Sequence, residues 1–367
     1  METSKEIFTH KALLDIPDGI YTVLVTPFKE NNTIDYDSIR KWFEYQVNSD
    51  VTGVVLMGTT SESPTMKSIE VFSISKYIYE LNSYLESPKF IIIGIGGNDT
   101  QKVIDDVSSL VAGKYAHGFM VTVPSYNKPT QEGIYQHFNA IANSHDISKF
   151  PVIMYNVPGR TSVNMEPTTI KRICESCPNV VAIKEASGSM DQVMKIRTLV
   201  PTLKVFAGDD KLILDFMAHG ASGVISVASN IIPDIMVRIY QSCAKDLFVV
   251  GRTIFYELRI GQFVDLLFCE SNPIPVKFML WVIGLYKNYK MRLPMTELSS
   301  TKHGEVSKLT LQLAGLNTLI MSMDEITSQI MDSSYLYGSL DIIKHADPHA
   351  SVQNSDESDH VERNDDA

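Results

Sequence analysis

Short runs of nearly unbroken apolar residues alternate along the chain with stretches of helical periodicity. The runs are Gly19–Val25, Val51–Met57, Phe90–Gly94, His117–Val123, Phe150–Asn156, Val180–Glu185, Lys204–Gly208 and Gly223–Ala228, eight in all. Continuous rather than alternating hydrophobicity marks strands covered on both faces. The segments between them, such as Ile34–Ser49 and Lys102–Gly113, supply the helical crossovers that parallel strands need. Eight such units predict an α/β protein built as a closed (β/α)8 TIM barrel. An open doubly wound sheet is the competing plan, but no Gly-x-Gly-x-x-Gly opens the first unit. Gly94-Ile95-Gly96-Gly97 lacks that spacing and reads as a tight turn. From Pro233 to Leu319 the pattern stays mostly helical, more than one closing helix requires, and it fades from about Ser334. The expected organisation is an N-terminal extension over 1–18, the barrel over 19–232, a C-terminal helical subdomain over 233–320 and a C-terminal extension over 321–367 with a disordered end.

Composition sharpens this picture in two places. The formal charge of −11 suggests a strongly acidic protein, but residues 347–367 carry seven acids against one base, so more than half of it sits in the tail. The body has no clustered Lys/Arg face, which argues against nucleic acid as a partner. Four cysteines in 367 residues do not make a disulfide framework and fit a reducing, cytoplasmic setting; Cys174-x-x-Cys177 has no second pair and reads as structural. No apolar run approaches bilayer length, and the acidic, Arg-free start is unlike a leader peptide. His345, His349 and His360 lie near acids without fixed spacing, so no metal site is expected there, and His137 reads as a packing residue.

In a barrel of this class the chemistry collects at the C-terminal ends of the strands. The second run leads into Gly58-Thr59-Thr60-Ser61-Glu62-Ser63, the fourth into Ser125-Tyr126-Asn127-Lys128 and the fifth into Tyr155 and Arg160. The sixth carries Lys184, the seventh ends in Gly208-Asp209-Asp210, and the eighth gives Ser226 and Asn230. A lysine at a strand end, taken alone, reads as a snorkelling surface residue. In apolar company it loses the hydration that favours its charged form, and the neutral amine can attack a carbonyl. A phenol hydrogen-bonded through hydroxyls suits the proton transfers of imine and enamine formation. A charged carboxylate in the same place would stabilise the protonated amine instead.

Seven ordered motifs carry a family resemblance: Gly-Thr-Thr-Ser-Glu-Ser (58–63), Tyr-Asn-Lys-Pro-Thr-Gln-Glu-Gly (126–133), Tyr-Asn-Val-Pro-Gly-Arg-Thr (155–161), Ile-Lys-Glu-Ala-Ser-Gly (183–188), Gly-Val-Ile-Ser-Val (223–227), Asn-Pro-Ile-Pro-Val-Lys (272–277) and Arg-Leu-Pro-Met (292–295). From about Ile20 to about Leu316 the chain resembles the dihydrodipicolinate synthase family. The resemblance implies a class I aldolase acting as a homotetramer, a dimer of dimers, which condenses pyruvate with aspartate 4-semialdehyde on the diaminopimelate route to lysine. It implies no cofactor beyond the covalent imine of pyruvate on Lys184, and no metal. Tyr155 would shuttle protons, linked through Thr59 to Tyr126 of a neighbouring subunit, and the Thr59 and Thr60 amides would hold the pyruvate carboxylate. Arg160 would take the carboxylate of the semialdehyde, the Ile225 carbonyl would face bound substrate, and Gly208 belongs with the substrate-binding positions.

The match breaks in places. Ser61 stands where the family motif usually has glycine, and would be strained if the turn needs a positive φ there. The family's lysine-feedback site keeps Asn98, but it has Ser125 in place of a tyrosine, Lys102 in place of an acid and no histidine near Lys67-Ser68. Weak or absent inhibition by lysine is therefore expected. Two other readings stay open at this point: a related pyruvate-type aldolase cleaving a sugar-derived 2-keto acid such as sialic acid or 2-keto-3-deoxygluconate, and a catalytically idle barrel acting as a binding protein.

Overall fold

The computed structural model describes residues 14–321, so the expected acidic tail and its histidines lie outside the described residues. Eight parallel strands close into a barrel in sequence order: β1 (Gly19–Val23), β2 (Gly53–Leu56), β3 (Phe90–Ile95), β4 (Gly118–Thr122), β5 (Val152–Asn156), β6 (Val180–Glu185), β7 (Lys204–Ala207) and β8 (Gly223–Ser226), with β8 returning to pair with β1. Each expected run holds one strand, β3 reaching one residue past its run to Ile95. Several strands are shorter than their runs because flanking residues such as Leu24, Val25 and Val51 are buried without joining the ladder.

Continuous hydrophobicity conceals an alternation that the closed sheet resolves. Tyr21, Val23, Ile153, Tyr155, Ala182, Phe206 and Ile225 fill the barrel interior, whereas Ile20, Leu24, Val152, Met154 and Ile183 pack outward under the helices. Successive strand residues point to opposite faces, so Lys184 shares the inward face of β6 with Ala182, while Ile183 and Glu185 face the helical layer. The helix Tyr36–Val47 begins at Asp35, whose carboxylate accepts from the Ser38 amide, and Thr100–Gly113 begins at Asp99, which accepts from the Gln101 and Lys102 amides.

The base of the barrel is sealed by the segment entering β1. Ile16 is fully buried against the interior cluster, Tyr21 donates its hydroxyl to the Pro17 carbonyl at 2.6 Å, and Lys204 reaches the Ile16 carbonyl and the Asp15 carboxylate. Beyond β8 the helix Pro233–Ala244 packs on β1. The helices Phe248–Glu257, Ile260–Leu267, Ile274–Val282 and His303–Met321 follow. The last is tied back to the first by Asn317, whose carbonyl accepts from the Asp234 and Ile235 amides at 2.9 and 3.1 Å. Among the described residues no helix is long and apolar enough to cross a membrane.

The seam between β1 and β8 depends on two glycines paired in register, Gly19 and Gly223. Gly223 has φ +147, and a Cβ there would lie 1.9 Å from the Gly19 carbonyl oxygen, a backbone atom that cannot swing aside. Gly223→Ala is expected to lower the unfolding free energy by about 3 kcal/mol or more, measured by denaturant titration. A loss below about 1 kcal/mol would mean that the seam tolerates a side chain.

Candidate active site

Register brings the central pair together. Tyr155 on β5 is paired with Lys184 on β6, both side chains turn inward, and the lysine Nζ lies 4.5 Å from the phenol ring centroid. Lys184 is 6% exposed, and burial pulls its pKa down from 10.5 to about 8; Asp210 opposes that fall and the Arg160 cation adds to it. At neutral pH such a shift increases the unprotonated fraction by about two orders of magnitude. Burial also raises the Tyr155 pKa, while Arg160 and the Thr59 hydroxyl pull it partly back, so the phenol carries its proton at neutral pH.

A cavity of about 290 Å³ opens over this pair at the C-terminal end of the strands, and its lining includes Thr59, Thr60, Tyr155, Arg160, Lys184 and Gly208. Thr59 and Thr60 sit in a 3-10 turn directly after β2. The Ser61 and Glu62 amides bond to the Gly58 and Thr59 carbonyls, so the two preceding amides have no carbonyl within the turn to bond. Gly208 is required by space, since a Cβ there would meet the Ala186 Cβ at 2.5 Å. Arg160 is exposed at the mouth on the one-turn helix Pro158–Thr161, and it donates to the Asn272 carbonyl at 3.4 Å.

Other expected residues are placed differently. The Ile225 side chain belongs to the barrel's interior layer and is absent from the cavity lining. Tyr126 is 87% exposed on the loop after β4, with φ 61 at the tip of a tight turn in which the Asn127 amide donates to the Ser125 carbonyl. In its own chain it lines neither this cavity nor the larger one of about 680 Å³ that shares Thr59, Val157 and Arg160 with it. Asn98, Lys102 and Ser125 line that larger space, and Lys102 is ion-paired with Asp106 at 2.7 Å. Ser61 avoids the anticipated strain because the left-handed φ falls on Glu62; the serine hydroxyl instead donates to the Leu24 carbonyl at 2.6 Å.

Several supporting residues were named in the sequence only within strand ends or motifs, with no role given to them. Asp210 is buried beside Lys184, and one of its oxygens accepts from the Val227 and Ala228 amides at 2.9 and 3.0 Å. Glu185 accepts from Asn156 (3.0 Å), Gln192 (2.8 Å) and the Ser187 amide (2.6 Å). A carboxylate immediately after the lysine, in an apolar strand, was the available signal for this network. Asn272 donates to the Thr60 hydroxyl at 3.0 Å. His137 is buried, its pKa is lowered to about 4, and it bonds Thr100 away from this cavity. All four cysteines are free, and burial pushes the Cys174 thiol up to about 12. Among the described residues no group of three or more His, Cys, Asp or Glu is placed to hold a metal.

Comparison with known proteins points the same way. The model of the Dihydrodipicolinate synthetase family matches residues 16–313. A 4-hydroxy-tetrahydrodipicolinate synthase of Leptospira biflexa serovar Patoc is 40% identical over 298 residues, covering 80% of this chain and 97% of that protein. One from Endomicrobium trichonymphae is 38% identical over 290 residues, covering 79% and 96% respectively. The solved dihydrodipicolinate synthase of Acinetobacter baumannii complexed with pyruvate is similar with a TM-score of 0.75 and 33% identity, over 82% of this chain and 99% of that one.

Acylation of Lys184 by a small anhydride, followed by peptide mass spectrometry, is expected to accelerate as pH rises and to level off above about 8. Asp210→Asn removes the charge that holds the lysine pKa up, so the levelling point should move to lower pH. A midpoint near that of surface lysines, or an upward move in Asp210→Asn, would contradict the buried-amine geometry.

Proposed function

Because the chain belongs to the dihydrodipicolinate synthetase family, we propose that it is a Schiff-base-forming 4-hydroxy-tetrahydrodipicolinate synthase that joins pyruvate to L-aspartate 4-semialdehyde on Lys184, without a resident cofactor. The observation that carries this reading is the desolvated amine of Lys184 facing a protonated Tyr155 inside one small cavity. The neutral amine adds to the keto carbon of pyruvate, and the carbinolamine loses water as its oxygen takes a proton from the phenol side. The resulting imine gives up a methyl proton to form an enamine. The enamine carbon attacks the aldehyde, whose oxygen is protonated, and the amine of the semialdehyde moiety then adds to the imine carbon, closing the ring and expelling the lysine amine.

The remaining residues divide the two carboxylates between them. The Thr59 and Thr60 amides and hydroxyls border the deep part of the cavity near Lys184 and suit the pyruvate carboxylate. Arg160 at the mouth presents a planar cation to the carboxylate of the semialdehyde, and Gly208 keeps the wall low. We assign the Ile225 carbonyl to the same rim. Tyr126 lies outside its own cavity, so its role in a proton relay with Thr59 belongs to a second copy of the chain, in keeping with a homotetramer. Lys102, although compensated by Asp106, puts a cation into the larger cavity and disfavours binding of free lysine there.

Borohydride reduction in the presence of pyruvate should leave a mass increment on Lys184 and none on a Lys184→Ala variant; no increment on the parent would end this reading. Arg160→Ala should retain pyruvate trapping above pH 8.5 but raise the half-saturating semialdehyde concentration by about 10- to 100-fold. Unchanged semialdehyde dependence, or better turnover with sialic acid or 2-keto-3-deoxygluconate as the assayed substrate, would instead assign the site to a sugar-acid aldolase.

A further inference from the structure

Three motif residues with no role in the chemistry above meet behind the Thr59–Ser61 turn. They are Glu62, Lys277 and Arg292, from three separate motif segments of the sequence: 58–63, 272–277 and 292–295. The Lys277 and Glu62 side chains are 0% and 1% exposed and form an ion pair with each other. Lys277 also donates to the Lys290 carbonyl at 3.0 Å, and Glu62 accepts from the Arg292 backbone amide at 3.1 Å. The Arg292 guanidinium donates to the Thr65 and Asn32 carbonyls at 2.9 and 2.7 Å and pairs with both oxygens of Glu70. Both cations lie over the Phe28 ring, at 4.3 and 4.2 Å from its centroid.

A fully buried ion pair is poorly explained by stability, because well-packed apolar residues of similar volume do as well or better. What this pair holds is a backbone. Glu62 has φ 56 and ψ 35, a left-handed conformation that costs a residue with a Cβ about 1–2 kcal/mol. Its amide closes the Thr59–Ser61 turn onto the Thr59 carbonyl at 3.0 Å, and the same residue opens the next turn, Ser63–Thr65. Ser61 is fastened to the loop after β1 through Leu24 and Thr26. The segment that ends in Lys277 begins with Asn272, which grips the Thr60 hydroxyl. One short C-terminal segment therefore holds the turn from both sides.

We propose that Lys277 and Glu62 are positioning residues for recognition of the keto-acid carboxylate: the buried pair fixes the left-handed Glu62 and through it the aim of the Thr59 and Thr60 amides. This inference rests on the reading of that turn as the carboxylate cradle. Neither side chain touches the reacting atoms, and the effect falls on pyruvate affinity rather than on the saturated rate of imine formation.

The test compares the full-length parent with Glu62→Gln, Lys277→Met and the double variant Glu62→Met/Lys277→Met. The readouts are thermal unfolding and the pyruvate concentration giving half-maximal borohydride trapping of Lys184. Lys277→Met strands a buried charge and should lower the thermal midpoint, whereas the double variant removes both charges and should recover most of it. The half-saturating pyruvate concentration should rise about tenfold in all three and stay raised in the double variant despite its recovered stability. A folded double variant with half-saturation within about twofold of the parent would reduce the pair to a structural role and overturn the proposal. Should either Lys277 variant fail to fold, Glu62→Gln keeps the shape and decides alone by the same criterion. Absence of trapping in the parent sinks the proposed function and this inference together, while trapping in the parent with unshifted variants sinks only the inference.

Discussion

The molecule is organised around the cost of keeping an amine dry. Lys184 is buried with no ion pair to a carboxylate, and the two acids beside it spend one or both of their oxygens on other donors. Asp210 accepts from two backbone amides, and Glu185, on the opposite face of the strand, is saturated by Asn156, Gln192 and Ser187. Had either carboxylate bonded the ammonium, the pair would have held the lysine protonated. Arg160 at the mouth pushes in the other direction and adds to the fall in the lysine pKa. Barrel parity makes this arrangement possible, since one step along β6 separates the face that carries the amine from the face that carries its neighbouring acid.

The site is not made by the barrel alone. Val264 and Phe268, from the helix Ile260–Leu267 and the residue that follows it, wall the cavity mouth, and Asn272 reaches both Thr60 and Arg160. The helices after β8 thus serve the strand ends at two levels: they narrow the entrance, and they brace the loop after β2 from behind. Proper placement of a few hydrogen-bond donors then depends on residues more than two hundred positions apart in sequence, a long-range coupling that the barrel strands by themselves do not supply.

The eight strands were legible because both-face burial leaves an unmistakable apolar run, and Lys184 and Tyr155 stood out as polar groups within such runs. Their inward direction was not legible from hydrophobicity, because a strand covered on both sides shows no alternation; it followed only once the sheet closed. The buried partners were harder to see. Glu62 and Lys277 look like ordinary surface charges in sequence, 215 positions apart, and nothing local marks a lysine that tertiary structure will enclose completely. Ser61 was suspected of strain through comparison with glycine in related motifs, but the strained φ belongs to the next residue. Tyr126 was readable as a motif residue, yet in the single chain it is exposed and lines neither cavity.

The plug at the opposite end of the barrel has a consequence for traffic. With Ile16 buried against the interior cluster, and Lys204 lashing the entering segment in place, the barrel is closed at the end opposite the lysine. On the proposed reading, both reactants reach the lysine from the strand C-terminal end, and the finished molecule leaves by that end. A through-pore would let the two reactants arrive from opposite ends; a closed base brings both to the same side of the lysine.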